Sequence, residues 1–294
     1  MADIQKDLGK MEKAGETYLK VAGIYEKEGN YEDSLEYLEK ASPYFPQAKT
    51  APQIGRLLFQ LGRYDEALSY LIVSPPESEI LFFTAKSYFF LNQYNNALRV
   101  FREILEGEPA PGEMIRACYW AAKSLYALGE LEEAIACYKS YIYACPREKQ
   151  AHFDLALCYL NSGRFDMAES SFLQFKKLGG SEELLCLYLG IVYYHQGNYK
   201  EVIKLLDQIP ICVQALHWKG LALYELSRYE EALECFTTAA KQEARPLYYK
   251  MMGNASLRLQ YYFEAKICYE KAIDLDPADH DLEKLIAIAG NCLK

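Results

Sequence analysis

No apolar run in this 294-residue sequence approaches the ~18 residues of a membrane span, so no transmembrane segment is expected. The opening residues, Met1-Ala2-Asp3-Ile4-Gln5-Lys6-Asp7, alternate charge and lack an apolar stretch, so no secretory signal is expected there. There is no excess of positive charge. Lys and Arg total 32 against 41 Asp and Glu, a net charge of −9 that argues against general binding to nucleic acid or anionic membrane. Cys-x-x-Cys is absent, although there are nine cysteines. A secreted disulfide framework favours an even count in a shorter chain, so thiols in a reduced, cytoplasmic setting are expected. The four histidines, at 152, 195, 217 and 280, include no His-x-x-x-His pair. His152 falls at a core-type helix position and reads as a packed residue. Gly179-Gly180-Ser181 lacks the Lys of a phosphate loop, and Ser181 reads as a helix N-cap. Disorder is excluded by a 51% hydrophobic content.

What the sequence does contain is a repeat. One phrase recurs eight times, beginning as Gly29-Asn30-Tyr31-Glu32-Asp33-Ser34 and Gly62-Arg63-Tyr64-Asp65-Glu66-Ala67. Its later copies end at Ala97, Ala134, Ala168, Val202, Ala232 and Ala265, at intervals of 30 to 37 residues. The Gly ends a helix in a left-handed conformation, the aromatic fills the corner, and the small residue lets the next helix approach closely. Twelve residues earlier stands a second small residue: Ala22, Gly55, Ala85, Ala122, Ala156, Gly190, Gly220 and Gly253. Four residues after the phrase comes a bulky one: Leu38, Leu71, Phe101, Tyr138, Phe172, Leu206, Phe236 and Tyr269. Pro46, Pro109, Pro146 and Pro277 fall where the second helix should stop. The two 30-residue intervals run into Pro75-Pro76 and Pro210. Four residues are about one turn, so those second helices should be short with the buried face in phase. Residues 106 to 113 read as a surface connection.

This pattern of small, aromatic, small and bulky residues resembles the tetratricopeptide repeat family. The resemblance implies an all-α, right-handed superhelical solenoid of antiparallel helix pairs. Eight units are expected at about 15–47, 48–77, 78–114, 115–148, 149–182, 183–212, 213–245 and 246–278. Residues 1–14 should extend the first helix or fray. Residues 279–294 should form a capping helix that buries Leu282, Leu285 and Ile286. Ser34 and Val202 depart from the family's small Ala, and Ser227 and Gln260 from its turn Gly. Cys118, Cys186 and Leu216 stand where its first helix usually has Trp.

The resemblance also implies that the first helices line a concave groove whose exposed positions bind partners. Counting each unit from nineteen residues before its opening small residue, the inward positions are the second, fifth, ninth, twelfth and thirteenth. The ninth carries a cation in three successive units, Arg56, Lys86 and Lys123, with Arg116 at a second position beside them. The twelfth supplies Phe59, Phe89, Tyr126, Tyr194 and Tyr224, and the fifth Phe82, Tyr119 and Phe153. Each cation is expected over the aromatic three residues on. These residues suggest a scaffold, not an enzyme, with no cofactor or metal. Its expected partner is an acidic, apolar protein segment across units two to four, with no nucleic acid or membrane insertion. The alternative is a self-associating structural subunit. Lys250 and Asn254 match the Lys-x-x-x-Asn pair by which chaperone-binding members hold a terminal carboxylate, but no following repeat completes the clamp, so the match reads as incidental.

Overall fold

Every copy of the phrase closes one helix and opens the next. The computed structural model describes residues 2–107 and 109–292, with side chains from Met11 onward. Among these residues there are seventeen α-helices and no strand. The first helices of successive pairs are α1 (Ala2–Lys27), α3 (Gln47–Gln60), α5 (Ser78–Phe90), α7 (Pro111–Leu128), α9 (Lys149–Asn161), α11 (Glu182–His195), α13 (Val213–Glu225) and α15 (Pro246–Arg258). Their partners are α2 (Tyr31–Ala41), α4 (Tyr64–Leu71), α6 (Tyr94–Glu106), α8 (Leu131–Ala144), α10 (Phe165–Lys177), α12 (Tyr199–Leu206), α14 (Tyr229–Gln242) and α16 (Tyr262–Leu275). Helix α17 (Asp281–Asn291) follows. The helices gather into two compact units, Met1–Pro146 and Arg147–Lys294.

The turns share one hydrogen-bond pattern. In the second pair, Gly62 N donates to Phe59 O at 3.0 Å and Arg63 N to Leu58 O at 2.9 Å. This double closure satisfies the last carbonyls of α3 and requires a left-handed residue at the turn. The same pair of bonds closes the turns at Ser227 and Gln260, which take φ of +61° without being glycine. Asn92 does so at +59°. The backbone tolerates these residues at a cost in local strain.

Within each pair, the two small residues and the bulky one form the contact that sets the helix spacing. All eight bulky residues are buried, with Phe101, Phe172, Phe236 and Tyr269 fully enclosed. A methyl group added at Gly253 would lie 2.5 Å from the Tyr269 ring, and one at Gly220 would lie 2.8 Å from Phe236. In the pairs with glycine, the first helix therefore presents bare backbone where the second presents its bulky side chain. Ser34, the departure from Ala, is fully buried and donates its hydroxyl to Ala22 O at 2.9 Å. The serine thus ties together the two small positions of its own pair.

Helices α4 and α12 have eight residues each, the short second helices expected before Pro75-Pro76 and Pro210. Two boundaries differ from expectation. The stretch 106–113 is not all connection, because α7 already starts at Pro111. Proline at the first helical position loses no hydrogen bond, and Glu113 accepts from Ala110 N at 3.3 Å to close the start. Helix α2 ends at Ala41, well before Pro46, and gives way to a 3₁₀ turn over Ser42–Tyr44. Ser181 caps α11, its hydroxyl accepting from Leu184 N at 3.4 Å. Helix α17 covers the last pair: Leu282 is fully buried against Tyr269 and Ala272, while Leu285 and Ile286 are only half-buried.

Two stability outcomes follow. Gly253→Ala should lower stability by about 1–3 kcal/mol, because a fully buried Tyr269 ring has nowhere to retreat, whereas Gln260→Gly should raise it by up to about 1 kcal/mol by relieving the left-handed turn. Urea unfolding midpoints measure both, and equal midpoints for the two variants would contradict this packing. Leu282→Ala should cost about 2–5 kcal/mol by leaving a cavity under the cap. An unchanged midpoint would mean that α17 is no cap.

Candidate partner-binding site

In the first unit, α5 packs against both α3 and α7, so one face of the three first helices is continuous. The cations on it are not equivalent. The Arg56 guanidinium of α3 donates to Glu26 Oε1 at 2.8 Å and lies 3.5 Å from Glu79 Oε1. Its charge is matched within the molecule. Lys86 of α5 is half-buried, with its ammonium 4.6 Å from the centroid of the Trp120 ring and 4.9 Å from that of Phe59. Phe82 and Phe90 close the cage at 5.6 and 5.9 Å. Arg116 lies over Phe82 at 5.1 Å, and Lys123 lies over Trp120 at 5.1 Å and Tyr119 at 5.6 Å. Among the described residues, no acidic side chain comes within ion-pair distance of Lys86, Arg116 or Lys123.

Burial, followed by repulsion from Arg116 and Lys123, holds the Lys86 amine below its ordinary value of 10.5. A cation over a desolvated ring gains about 0.5–2 kcal/mol, so the rings supply the stabilisation that a carboxylate would otherwise give. The expected partner three residues on is not the one found. Lys86 meets Phe82 and Phe90, four residues before and after it, which lie in the same helical row. Phe89 turns aside to meet Tyr94 and Trp120, with ring centroids 5.3 and 5.2 Å away. Phe59 is buried among Tyr64, Phe83 and Phe90 rather than open to a ligand. Tyr119 and Tyr126 are half-buried on α7.

Two members of the cage escaped the reading of the sequence. Phe90 sits at a thirteenth position, where a closer inspection could have found it. Trp120 has no positional signal at all, since only the packing of α7 on α5 brings it over Lys86.

The second unit holds the remaining aromatics. Phe153 is buried, its ring 5.0 Å from Phe175 and 5.1 Å from Tyr188, and offers no open surface. Tyr194 packs against Trp218 and Tyr199 at 5.2 and 5.5 Å. The Tyr224 hydroxyl accepts from Arg258 Nε at 3.2 Å. His152 is buried, as expected of a packed residue.

Comparison with known proteins agrees with the repeated geometry. Tetratricopeptide repeat models match residues 15–42, 53–72, 119–182, 213–245 and 246–279. The chain belongs to the tetratricopeptide repeat family. A further model, for subunit 3 of the anaphase-promoting complex (cyclosome), matches residues 70–141, the stretch that holds Phe82, Lys86, Arg116 and Lys123. Anaphase-promoting complex subunit 7 of Homo sapiens is 23% identical over 270 residues, covering 88% of this chain and 47% of the relative. The BBSome complex member BBS4 of Bos taurus is 23% identical over 286 residues, covering 90% and 52%. The chain thus spans about half the length of these curated relatives. Among solved structures, a tetratricopeptide repeat protein of Parabacteroides merdae has a TM-score of 0.57 at 15% identity, covering 95% of this chain and all of that one. The anaphase-promoting complex hetero-tetramer Cut9–Hcn1 has a TM-score of 0.60 at 16% identity, covering 98% and 58%. These likenesses show the shared fold.

Lys250 and Asn254 of α15 match the spacing of a clamp pair only incidentally. Lys250 is held by Asp279 at 2.6 Å, and Asn254 accepts from the Tyr269 hydroxyl at 2.9 Å. Both polar heads of the pair are thus engaged within this repeat chain. No described helix is long and apolar enough to cross a membrane.

The uncompensated cations of this repeat face have a measurable signature. Like charges repel most at low ionic strength and are screened at distances beyond ~10 Å at 0.1 M salt. The melting temperature of Lys123→Met relative to the parent should therefore rise as salt is removed. A difference independent of salt would show that the cations do not repel one another.

Proposed function

We propose that the chain is a protein-interaction scaffold, with no catalytic role, whose first-unit face over α5 and α7 binds an acidic segment bearing bulky apolar side chains. The observation that carries this reading is the cluster of Lys86, Arg116 and Lys123, three cations with aromatic neighbours and no acidic partner in the described residues. In a chain of net charge −9 such a cluster is uncompensated locally. A carboxylate from outside would relieve its repulsion, and rings such as Trp120 and Phe89 would anchor apolar side chains. Relatives named as members of the anaphase-promoting complex and the BBSome support a role in assembly. Arg56, already neutralised by two glutamates, takes no part, which confines the acidic contact to α5 and α7.

Each exposed charge pair contributes about 0.2–1 kcal/mol, so the rings should hold the segment and the cations should speed its arrival. The test uses two short synthetic peptides in which Leu and Phe alternate with Glu or with Lys. Trp120 emission, isolated in a Trp218→Phe background, reports binding. The Glu peptide should bind and the Lys peptide should not. Lys86→Glu with Lys123→Glu should slow association sharply at low salt, Phe89→Ala should mainly speed dissociation, and Arg56→Ala should leave association nearly unchanged. Equal binding of both peptides, or no effect of the charge reversals, overturns the proposal.

A further inference from the structure

The face of α7 turned toward α8 carries a different chemistry. Cys118 is half-buried, and its sulfur lies 3.4 Å from the backbone carbonyl oxygen of Cys137 on α8, both atoms in the first unit. The two side chains also shift each other's titration. Around the pair, Tyr119 packs on Tyr138 and Tyr141 with ring centroids 5.9 and 4.8 Å apart, so the two helices already face each other at this level. Nothing in the partner-binding reading uses these sulfurs. Among the described residues, no other cysteine has a second cysteine as a hydrogen-bond partner.

We infer that Cys118 and Cys137 form an oxidisable dithiol, a modification site at which a hydroperoxide converts the two thiols into a disulfide joining α7 to α8. A disulfide demands that two cysteine side chains converge without backbone movement, and the 3.4 Å contact between the Cys118 sulfur and the Cys137 main chain brings the two residues together across α7 and α8. The two sulfurs have different roles. The hydrogen bond from Cys118 pulls the Cys137 thiol down to about 7, with Arg102 assisting and burial and Glu133 opposing. The same hydrogen bond, with burial, pushes the Cys118 thiol up. Cys137 is thus the attacking thiolate and Cys118 the resolving thiol.

In the first step the Cys137 sulfur attacks a peroxide oxygen. The O–O bond breaks, the distal oxygen leaves as water or an alcohol after taking a proton, and Cys137 becomes a sulfenic acid. In the second, the Cys118 sulfur attacks the Cys137 sulfur. The S–O bond breaks, hydroxide leaves as water with the proton released by Cys118, and the S–S bond forms. The two sulfurs together lose two electrons, which the peroxide receives.

The full chain, kept dilute, is treated with a small excess of hydrogen peroxide, blocked with an alkylating agent and digested without reductant. Mass spectrometry should find the peptides of Cys118 and Cys137 joined, two hydrogens lighter than their sum, and separated again by dithiothreitol. In Cys118→Ala, Cys137 should stall as a sulfenic acid that dimedone captures, and in Cys137→Ala, Cys118 should resist labelling. Persistence of both as alkylatable thiols while exposed Cys212 and Cys292 oxidise overturns the inference, as does a bond from Cys137 to any other cysteine. The crosslink in the unsubstituted chain needs no variant to fold. It is read without any bound segment, so it stands or falls apart from the proposed function.

Discussion

The contact on which the structure depends is the insertion of a bulky side chain of each second helix against a small residue of the first, which in four pairs is a glycine. Tyr269 lies against Gly253, Phe236 against Gly220, Leu206 against Gly190 and Leu71 against Gly55. Burying one such side chain contributes about 1.5–3 kcal/mol, and the small side chain or bare backbone opposite lets the two helices come together. Close approach then fixes where the next pair must stack. The eight-residue helices α4 and α12 show how strict this is: each ends at its bulky residue, Leu71 or Leu206, and loses only what lies beyond the contact. The Ser34 hydroxyl and the left-handed Ser227 and Gln260 show what the contact tolerates, since each keeps the local geometry by other means.

The same stacking creates the chemistry of the first-unit face. Once α5 is held between α3 and α7, a lysine at its centre is half withdrawn from water and surrounded by rings from three helices. Its charge is stabilised by ring quadrupoles instead of a carboxylate, while Arg116 and Lys123 raise the local positive potential. Arg56 takes the opposite course, because α1 and α5 each bring it a glutamate. Two cations at the same repeat position thus have different roles. One is internal to the packing of the helices, and the other is left without a counter-charge.

The cysteines divide in a similar way. Cys158 and Cys235 are buried and behave as small apolar residues, with burial raising their thiols. Cys137 shares its repeat position with Cys235 and Cys268, yet it differs from both because Cys118 stands across from it on α7. Cys118 occupies a place where this family usually has Trp, so a departure from the repeat pattern sets a thiol against Cys137.

Periodicity alone determined the helix pairs, the turns, the buried small and bulky residues, the short α4 and α12, and the cap. These rest on contacts within one repeat or between neighbours, and short-range spacing records such contacts directly. It also marked Lys86, Arg116 and Lys123 as lying on one face. Spacing could not tell that Glu26 and Glu79 neutralise Arg56, that Phe59 and Phe153 turn into the packing, or that Trp120 covers Lys86. Those outcomes depend on which side chains from three different helices reach the same point. That is decided by how the helices stack and how each rotamer settles, so only the tertiary structure decided them.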